Sequence, residues 1–224
     1  MRITFFDVDH TLVRGSTAWH CMPLFKQEKI FSYRVLLFLV VAHLKHRLGI
    51  LDYEDVYRKG IKPFVGLEAE RVFKRMEECF KKFVYPNIFI DALQRIEMHK
   101  KKNDMVVLLS ASPVYLLEHF KTHLGVDECI GFRQLIKDGH FIDDFERPIP
   151  YGANKLKLAF DFANKHGVLL ADCAFYTDSS SDLLLLRHVG EPYAVNPNLR
   201  LYVEAKRRGW QVLRFKKTIG KPLC

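Results

Sequence analysis

The sequence contains no Cys-X-X-Cys pair, although five cysteines occur among its 224 residues. That spacing is typical of structural zinc sites and of redox motifs, so neither is indicated. Because the cysteines are far apart along the chain, we expect small core residues or free thiols in a reducing compartment. They are Cys21, Cys79, Cys129, Cys173 and Cys224.

Long uninterrupted apolar runs are also lacking. The most apolar segment, residues 35–42, has basic residues on both sides. A helix that spans a bilayer needs roughly 20 apolar residues, so this segment predicts a buried or interfacial helix instead. The first apolar strand begins close to the first residue, so no secretory signal is visible and we expect a cytoplasmic protein.

Acidic residues are outnumbered: 35 Lys and Arg face 26 Asp and Glu, which gives a formal charge of +9. Such an excess favours anionic partners, namely phosphate esters, nucleic acid or an acidic membrane surface. The basic residues are scattered along the chain rather than concentrated in one stretch, and a scattered excess usually forms a solvated surface. No nucleic-acid partner is therefore expected, and no pattern indicates an oligomeric state.

Two carboxylates follow the first apolar run, Ile3 to Phe6, which predicts a buried strand. Residues i and i+2 of an extended backbone point to the same side, so Asp7 and Asp9 can share one site. In parallel α/β sheets, ligands bind at this carboxyl end of the strands. Carboxylates so close repel each other unless a cation or a shared proton intervenes, and oxygen ligands suit Mg²⁺. The alternative is a plain Asp-rich turn.

The rest of the chain divides by its pattern. Residues 15–85 show helical spacing of apolar residues and no convincing strand, which indicates a helical insertion. From residue 86 onward, short apolar strands alternate with helices, which predicts a parallel sheet with right-handed crossovers. Residues 128–142 suggest a small β-hairpin. We therefore expect an α/β core formed by residues 1–14 and 86–224, with an inserted helical domain at 15–85.

Three more junctions between predicted elements carry side chains that suit a phosphate site. Ser110 and Ala111 lie where a strand meets a helix, and the free N–H groups of a helix start bind phosphate. Lys155 lies near a helix start, where its charge opposes the helix dipole unless an anion is close. Asp178 ends an apolar strand, and Asp182 follows in the first turn of the next helix.

Each junction also has a simpler interpretation. Ser112 can cap a helix that begins at Pro113, which leaves Ser110 without a role. A single lysine is usually solvated, and Asp182 can cap its own helix. The order and positions of all the signals, rather than any one of them, indicate a shared site.

Together these motifs resemble those of the haloacid dehalogenase (HAD) superfamily of Mg²⁺-dependent phosphohydrolases. Residues 7–12 (DVDHTL) are similar to the first motif, Ser110 to the second, Lys155 to the third, and Asp178 with Asp182 to the fourth. The likeness covers nearly the whole chain, and the helical insertion resembles the cap of the phosphoserine-phosphatase-like branch, subfamily IB. It implies a Rossmann-like α/β core, a parallel sheet flanked by helices, with a C1-type helical cap.

The resemblance also implies an aspartyl-phosphate mechanism. Asp7 would be the nucleophile, and Asp9 would act first as general acid and then as general base. Mg²⁺ would be held by the carboxylates of Asp7 and Asp178 and by the backbone carbonyl of Asp9. The phosphoryl oxygens would be held by Ser110, Ala111 and Lys155, and Asp182 would have a supporting role.

The sequence departs from this branch where a phosphoserine phosphatase contacts its amino acid. Such enzymes carry a Glu seven residues after the second Asp of the first motif, where this chain has Ser16. The Arg that holds the substrate carboxylate aligns roughly with Gly60, and Arg58 lies nearby. His10 stands where the family often has Gly. We therefore expect a phosphorylated small molecule other than phosphoserine.

Three other functions stay open at this point. Residues 30–50 are apolar and then basic, and they resemble a cap segment of a bacterial phosphatidylglycerophosphatase of the same branch. A lipid phosphate at an anionic membrane surface is therefore one alternative. A phosphotransferase would use the same covalent intermediate. A non-catalytic phosphate-binding domain would not need all of the expected catalytic positions, which are filled here.

Overall fold

The computed structural model describes residues 2–27 and 53–222. The apolar segment 35–42, predicted to be a buried or interfacial helix, lies outside these residues, and so does Cys224. Within residues 2–27 and 53–222, no helix has both the length and the apolarity that crossing a bilayer requires.

A parallel sheet of six strands forms the centre of the protein. Its strands are β1 (Ile3–Phe6), β2 (Met105–Pro113), β3 (Glu128–Phe132), β6 (Ala174–Thr177), β7 (Glu191–Val195) and β8 (Gln211–Leu213). They lie in the order β3-β2-β1-β6-β7-β8, and each pair of neighbours is parallel. The prediction of a parallel α/β sheet is confirmed.

Helices precede, connect and cover these strands. In chain order they are α1 (Thr17–Gln27), α2 (Tyr53–Ile61), α3 (Ala69–Cys79), α4 (Ile90–Lys101), α5 (Val114–Leu124), α6 (Ala153–Lys165), α7 (Leu183–Leu186) and α8 (Leu199–Arg208). The first three lie in the stretch predicted to be a helical insertion.

The central strand β1 is buried on both faces, which explains why three of its four residues are apolar. Phe6 belongs to a core cluster that includes residues of α4 and α5. Its neighbour Phe5 points to the opposite face and belongs to a second cluster with residues of α6, α7 and α8. Packing on both faces holds the end of β1, and the carboxylate that follows it, in a rigid part of the molecule.

The predicted hairpin at residues 128–142 is only partly right. Its first part, β3, pairs with β2 in the main sheet. The antiparallel hairpin is formed by β4 (Gln134–Lys137) and β5 (His140–Phe145). Its strand β5 binds the segment before α3, because Phe141 donates to Leu67 (3.0 Å) and accepts from Gly66 (2.8 Å) through backbone groups. The hairpin thus fastens the first helices to the α/β core.

A disulfide joins Cys21 of α1 to Cys79 of α3, with 5.4 Å between the Cα atoms. The prediction of free thiols is therefore wrong for these two residues, whereas Cys129 and Cys173 are free. The pairing arises because α1 and α3 pack together, which no local sequence pattern encodes. Since disulfides persist in oxidising compartments, the cysteines no longer favour a reducing one. A cytoplasmic location stays a prediction.

Candidate active site

The motif residues meet at the carboxyl edge of the sheet. Strand β1 lies between β2 and β6, so the strands that follow it along the chain lie first on one side of it and then on the other. In such folds, ligands bind at the carboxyl ends of the strands where the strand order reverses in this way. Asp7 directly follows β1 and donates its backbone N–H to the carbonyl of Tyr176 (2.9 Å). Ser110 lies in β2, and Asp178 directly follows β6. One cavity is lined by all three residues.

A buried lysine connects two of the carboxylates. Lys155 Nζ lies 3.0 Å from Asp7 Oδ1 and 2.9 Å from Asp182 Oδ2, and the lysine is only 3% exposed. Gly152 precedes α6 with φ +55°, a conformation that favours glycine, and the first turn of α6 then carries Lys155 into the site. The interpretation of Lys155 as a solvated side chain is wrong.

Asp182 holds the other end of this lysine. Its carboxylate is completely buried and accepts hydrogen bonds from Lys155, from Thr177 Oγ1 (2.7 Å) and from Ser181 Oγ (3.2 Å). It occupies the residue before α7 but makes no side-chain bond to that helix. The simpler interpretation of Asp182 as a helix cap is therefore wrong, because its oxygens bind the lysine instead.

Negative charge exceeds positive charge at this edge. Burial raises the pKa of Asp7 to about 6; Lys155 opposes that rise, while Asp182 and Asp9 add to it. Burial also raises the pKa of Asp178 well above its usual range, and the charges of Asp7 and Asp182 raise it further. Burial alone would lower the pKa of Lys155, but the carboxylates of Asp182 and Asp7 raise it, so the ammonium stays charged.

Asp9 is held in place by three donors. Its Oδ1 accepts the backbone N–H of Thr17 (2.9 Å) and a longer bond from Ser112 Oγ (3.4 Å), and its Oδ2 accepts Ser16 Oγ (3.0 Å). Because Thr17 is the first residue of α1, the carboxylate also lies at the positive end of that helix. The first helix after β1 therefore fixes where the Asp9 side chain points.

Ser112 has a different role from the one that its position before a helix suggests. Strand β2 continues to Pro113, and α5 begins without a side-chain cap. The interpretation of Ser112 as a helix cap is therefore wrong: its hydroxyl pairs with Thr17 Oγ1 (2.9 Å) and reaches Asp9, while its N–H donates to Ser110 Oγ (3.2 Å). Its i+2 spacing from Ser110, like that of the two aspartates, is the signal that could have identified it.

His10 adopts the backbone conformation that explains why glycine is frequent at this position. Its φ is +59°, in the left-handed region that glycine enters without strain. Its side chain is exposed. The departure from the family pattern at this residue therefore leaves the turn after Asp9 intact.

The donor set fits a hard divalent cation. Carboxylate oxygens of Asp7 and Asp178 share this edge with those of Asp9 and Asp182, and Lys155 supplies one ammonium against them. In residues 2–27 and 53–222, no group of three His, Cys, Asp or Glu side chains is arranged to hold a metal. The set implied by the resemblance needs only two carboxylates, because its third protein ligand is a backbone carbonyl.

Above this edge lies a cavity of about 550 Å³, closed partly by α1, α2 and α3. Tyr57 of α2 reaches from the wall to the floor and donates its hydroxyl to the carbonyl of Ala111 (2.7 Å). Burial and the charge of Asp9 raise the pKa of Tyr57, so it remains a donor. The sequence did not point to this residue, since a tyrosine in a helix carries no signal of a contact with a distant strand.

Replacing Tyr57 with Phe should raise KM for a phosphate ester by about threefold to tenfold and leave kcat within about twofold. The loss of one hydrogen bond to a partly buried carbonyl costs on the order of 1 kcal/mol and loosens α2 over the cavity. Steady-state kinetics of this variant beside Tyr202→Phe, a half-buried tyrosine of α8 outside the cavity, tests this. Equal effects of the two substitutions would show that the Ala111 contact is irrelevant.

Comparison with known proteins gives the family. Residues 4–187 match the haloacid dehalogenase-like hydrolase family, which is most of the chain. The chain belongs to this family. The predictions of a HAD-type core and of a HAD-type phosphoric monoester hydrolase are confirmed at the level of the family.

Individual relatives agree with this assignment. The chain is 30% identical to a Mycobacterium tuberculosis protein named phosphoserine phosphatase SerB1, over 95% of this chain and 70% of that one. A crystal structure of a Bordetella pertussis protein of unknown function superposes with a TM-score of 0.84 at 22% identity, covering 95% and 97% of the two chains. A substrate-bound phosphoserine phosphatase superposes with a TM-score of 0.68 at 20% identity, covering 97% and 93%. The two structures establish the same fold.

Proposed function

We propose that this HAD hydrolase is a Mg²⁺-dependent phosphatase that acts on a phosphate monoester of a small molecule through an aspartyl-phosphate. The observation that carries the proposal is the buried contact of Lys155 with Asp7 and Asp182 at the edge where Asp178 also lies. Two carboxylates contact this ammonium and two more line the same edge, an arrangement that costs a great deal of free energy unless the carboxylates take up a proton or a cation. A structural role alone gives no reason to gather them beside an open cavity.

In the first step, an oxygen of Asp7 attacks phosphorus while the bond from phosphorus to the ester oxygen breaks. The proton of the Asp9 carboxyl passes to the leaving oxygen, which departs as the alcohol. Thr17 and Ser16 hold Asp9 in a fixed position for this transfer. Ser110, the backbone at Ala111 and Lys155 bind the phosphoryl oxygens as their charge redistributes.

In the second step, Asp9 is a carboxylate and takes a proton from a water molecule. The water oxygen attacks phosphorus, the bond between phosphorus and Asp7 breaks, and inorganic phosphate leaves. Asp9 ends protonated and Asp7 ends as a carboxylate, so both groups return to their starting state. Asp182 keeps Lys155 in contact with Asp7 throughout.

Mg²⁺ would be held by the Asp7 and Asp178 carboxylates and the Asp9 backbone carbonyl, and when bound it offsets the repulsion between an anionic nucleophile and a phosphate dianion. We further propose that residues 15–85 act as a cap on the core of residues 1–14 and 86–224. The contacts of Tyr57 with Ala111 and of Gly66 with Phe141 support this arrangement. Such a cap excludes water from the covalent intermediate and selects the leaving group.

A phosphate-release assay with Mg²⁺ or with EDTA tests the proposal, and an added alcohol acceptor separates hydrolysis from transfer. We expect phosphate release that needs Mg²⁺ and does not need the acceptor. Phosphate release that depends on the acceptor would favour a phosphotransferase. Binding of phosphate esters without turnover under any condition would favour a non-catalytic domain.

Mg²⁺ should raise the melting temperature by several degrees at pH 7.5 and by much less at pH 5. The pKa of Asp7 is about 6 in the folded protein against 3.8 ordinarily, so the folded state holds a proton over this range that the unfolded chain has released. The free energy of unfolding without metal therefore falls as pH rises from about 4 through 6. Near neutral pH the Asp7 carboxylate is available to the cation, and binding restores stability.

Differential scanning fluorimetry at the two pH values measures this effect. Asp178→Asn is the control, since removing one ligand charge should abolish most of the shift at pH 7.5. An equal effect of Mg²⁺ at both pH values, or an unchanged effect in the variant, would contradict the proposed ligand set.

A further inference from the structure

The walls of the cavity differ sharply from its floor. The floor carries the ionisable motif groups, including Asp7 and Lys155. The walls are built from apolar and aromatic side chains of α1, α2, α3 and the neighbouring core. The main contributors are Trp19, Met22, Ile61, Phe64, Val72 and Phe141. A leaving group that enters beside the phosphate therefore meets hydrocarbon surface.

No formal charge faces the cavity from these walls within residues 2–27 and 53–222. Arg58, the side chain closest in sequence to a carboxylate-binding position, pairs with Glu54 (3.1 Å) and lies 5.9 Å from the ring centre of Phe145. Lys62 pairs with Asp143 on the outside of the protein. The cations of this region are thus turned away from the cavity.

The lack of charge is clearest at two positions of the cavity. Ser16 and Gly60 stand where the resemblance places the acid and the cation that bind an amino-acid substrate, and both line the cavity. Ser16 is bound to Asp9, and a Cβ added at Gly60 would meet no described atom within 4 Å. Within residues 2–27 and 53–222, no atom therefore occupies the space beside Gly60 that a charged side chain could fill.

The free energies favour an uncharged leaving group here. An ammonium or carboxylate buried against these walls would lose its hydration without a partner of opposite charge, which costs several kcal/mol. Each methylene transferred from water to such a surface gains enough to improve binding about threefold to fourfold. Both effects favour binding of an ester with an apolar leaving group over an ester with a zwitterionic one.

We infer that the cavity selects phosphate monoesters whose leaving alcohol is uncharged and rich in hydrocarbon, with Met22 and Trp19 as specificity-determining residues. This inference rests on the proposed phosphatase function. The shared chemistry is a phosphate dianion on a hydrocarbon tail, which occurs both in soluble esters and in the headgroup of a lipid. Phosphoserine, with its ammonium and carboxylate, is a poor substrate.

A series of alkyl phosphates tests the inference, because ethyl, butyl, hexyl and octyl phosphate have leaving groups of nearly equal reactivity. We expect kcat/KM to rise by roughly threefold for each added methylene over the first carbons and then to level off. O-Phosphoserine should lie at or below ethyl phosphate. A flat series, or O-phosphoserine turned over faster than octyl phosphate, would overturn the inference while leaving the phosphatase function intact.

Three variants test whether the effect of chain length arises in the cavity. Met22→Gln should reduce the gain in kcat/KM per methylene by at least half, because an amide replaces hydrocarbon in the wall that the chain contacts. Met98→Gln, the same change at a half-buried methionine outside the cavity, should keep the full series. Gly60→Arg should favour O-phosphoserine over octyl phosphate at least tenfold relative to the unchanged protein. Identical series in all four proteins would overturn the assignment.

The source of the hydrocarbon is found by comparing monomeric octyl phosphate with lysophosphatidic acid in neutral phosphatidylcholine vesicles. Faster turnover of the vesicle substrate would identify a lipid headgroup, and slower turnover a soluble ester, and both results agree with the inference. If none of these esters is hydrolysed, the proposed function fails and the inference fails with it. Loss of all phosphate release in Asp7→Asn shows that the measured series belongs to this site.

Discussion

Replacing Asp7 with Asn should lower phosphate release by at least about 10⁴-fold, with the fold and Lys155 retained. An amide is too weak a nucleophile to form the bond to phosphorus that the proposed mechanism assigns to the Asp7 carboxylate, so the first step should be lost rather than slowed. The variant should still bind a phosphate ester, because Ser110 and Lys155 remain. Steady-state phosphate release and equilibrium binding of an unreactive phosphonate analogue measure the two properties separately.

The matched control is Asp161→Asn, the same change on the exposed face of α6, which should behave like the unchanged protein. Melting temperatures of both variants exclude unfolding as the cause. If Asp7→Asn retained more than about one per cent of the rate, a covalent bond to Asp7 could not be part of the main pathway. The reaction would then have to proceed by direct attack of water.

Replacing Lys155 with Met should cost both activity and stability. Its ammonium lies 3.0 Å from Asp7 and 2.9 Å from Asp182, so its removal leaves two buried carboxylates without their partner. Breaking a buried ion pair in this way typically costs 3–5 kcal/mol, and we expect a loss of about that size at neutral pH. The rate should fall by about 10²-fold to 10³-fold, because the proposed mechanism uses this ammonium to stabilise the phosphoryl oxygens.

Lys157→Met provides the comparison, since it removes an exposed ammonium two residues further along the same helix. This control should stay within about 0.5 kcal/mol and twofold of the unchanged protein. The stability loss of Lys155→Met should shrink as the pH falls, because burial raises the pKa of Asp7 and its protonation removes one of the unpaired charges. A variant as stable as the control at neutral pH would show that the carboxylates do not need this lysine.

The parts of the site that could be predicted are those set by local rules. The two-residue spacing of Asp7 and Asp9 places both at one cavity, as expected for an extended backbone. The carboxyl edge of a parallel sheet brings Ser110 and Asp178 beside them. A lysine near a helix start is electrostatically misplaced unless acids surround it, and that reasoning anticipated the partners of Lys155. Each of these inferences needs only a few neighbouring residues and one rule of topology.

The parts that were missed depend on contacts between distant segments. The disulfide of Cys21 with Cys79 follows from how two helices pack, and the bond of Tyr57 to Ala111 from how one helix lies over the core. The pairing of β3 with β2 is likewise non-local, because a short strand beside a turn signals a hairpin and a sheet edge equally well. Hydrophobic periodicity contains no information on such partners.

The most direct measurement is mass spectrometry of the protein quenched in acid during turnover of a phosphate monoester with Mg²⁺. We expect one added phosphoryl group, located on the peptide that contains Asp7 and lost on treatment with hydroxylamine, as an acyl phosphate should be. Asp161→Asn should give the same adduct and Asp7→Asn none. A phosphoryl group on a histidine or serine, or rapid phosphate release with no adduct in the unchanged protein at any quench time, would contradict the account.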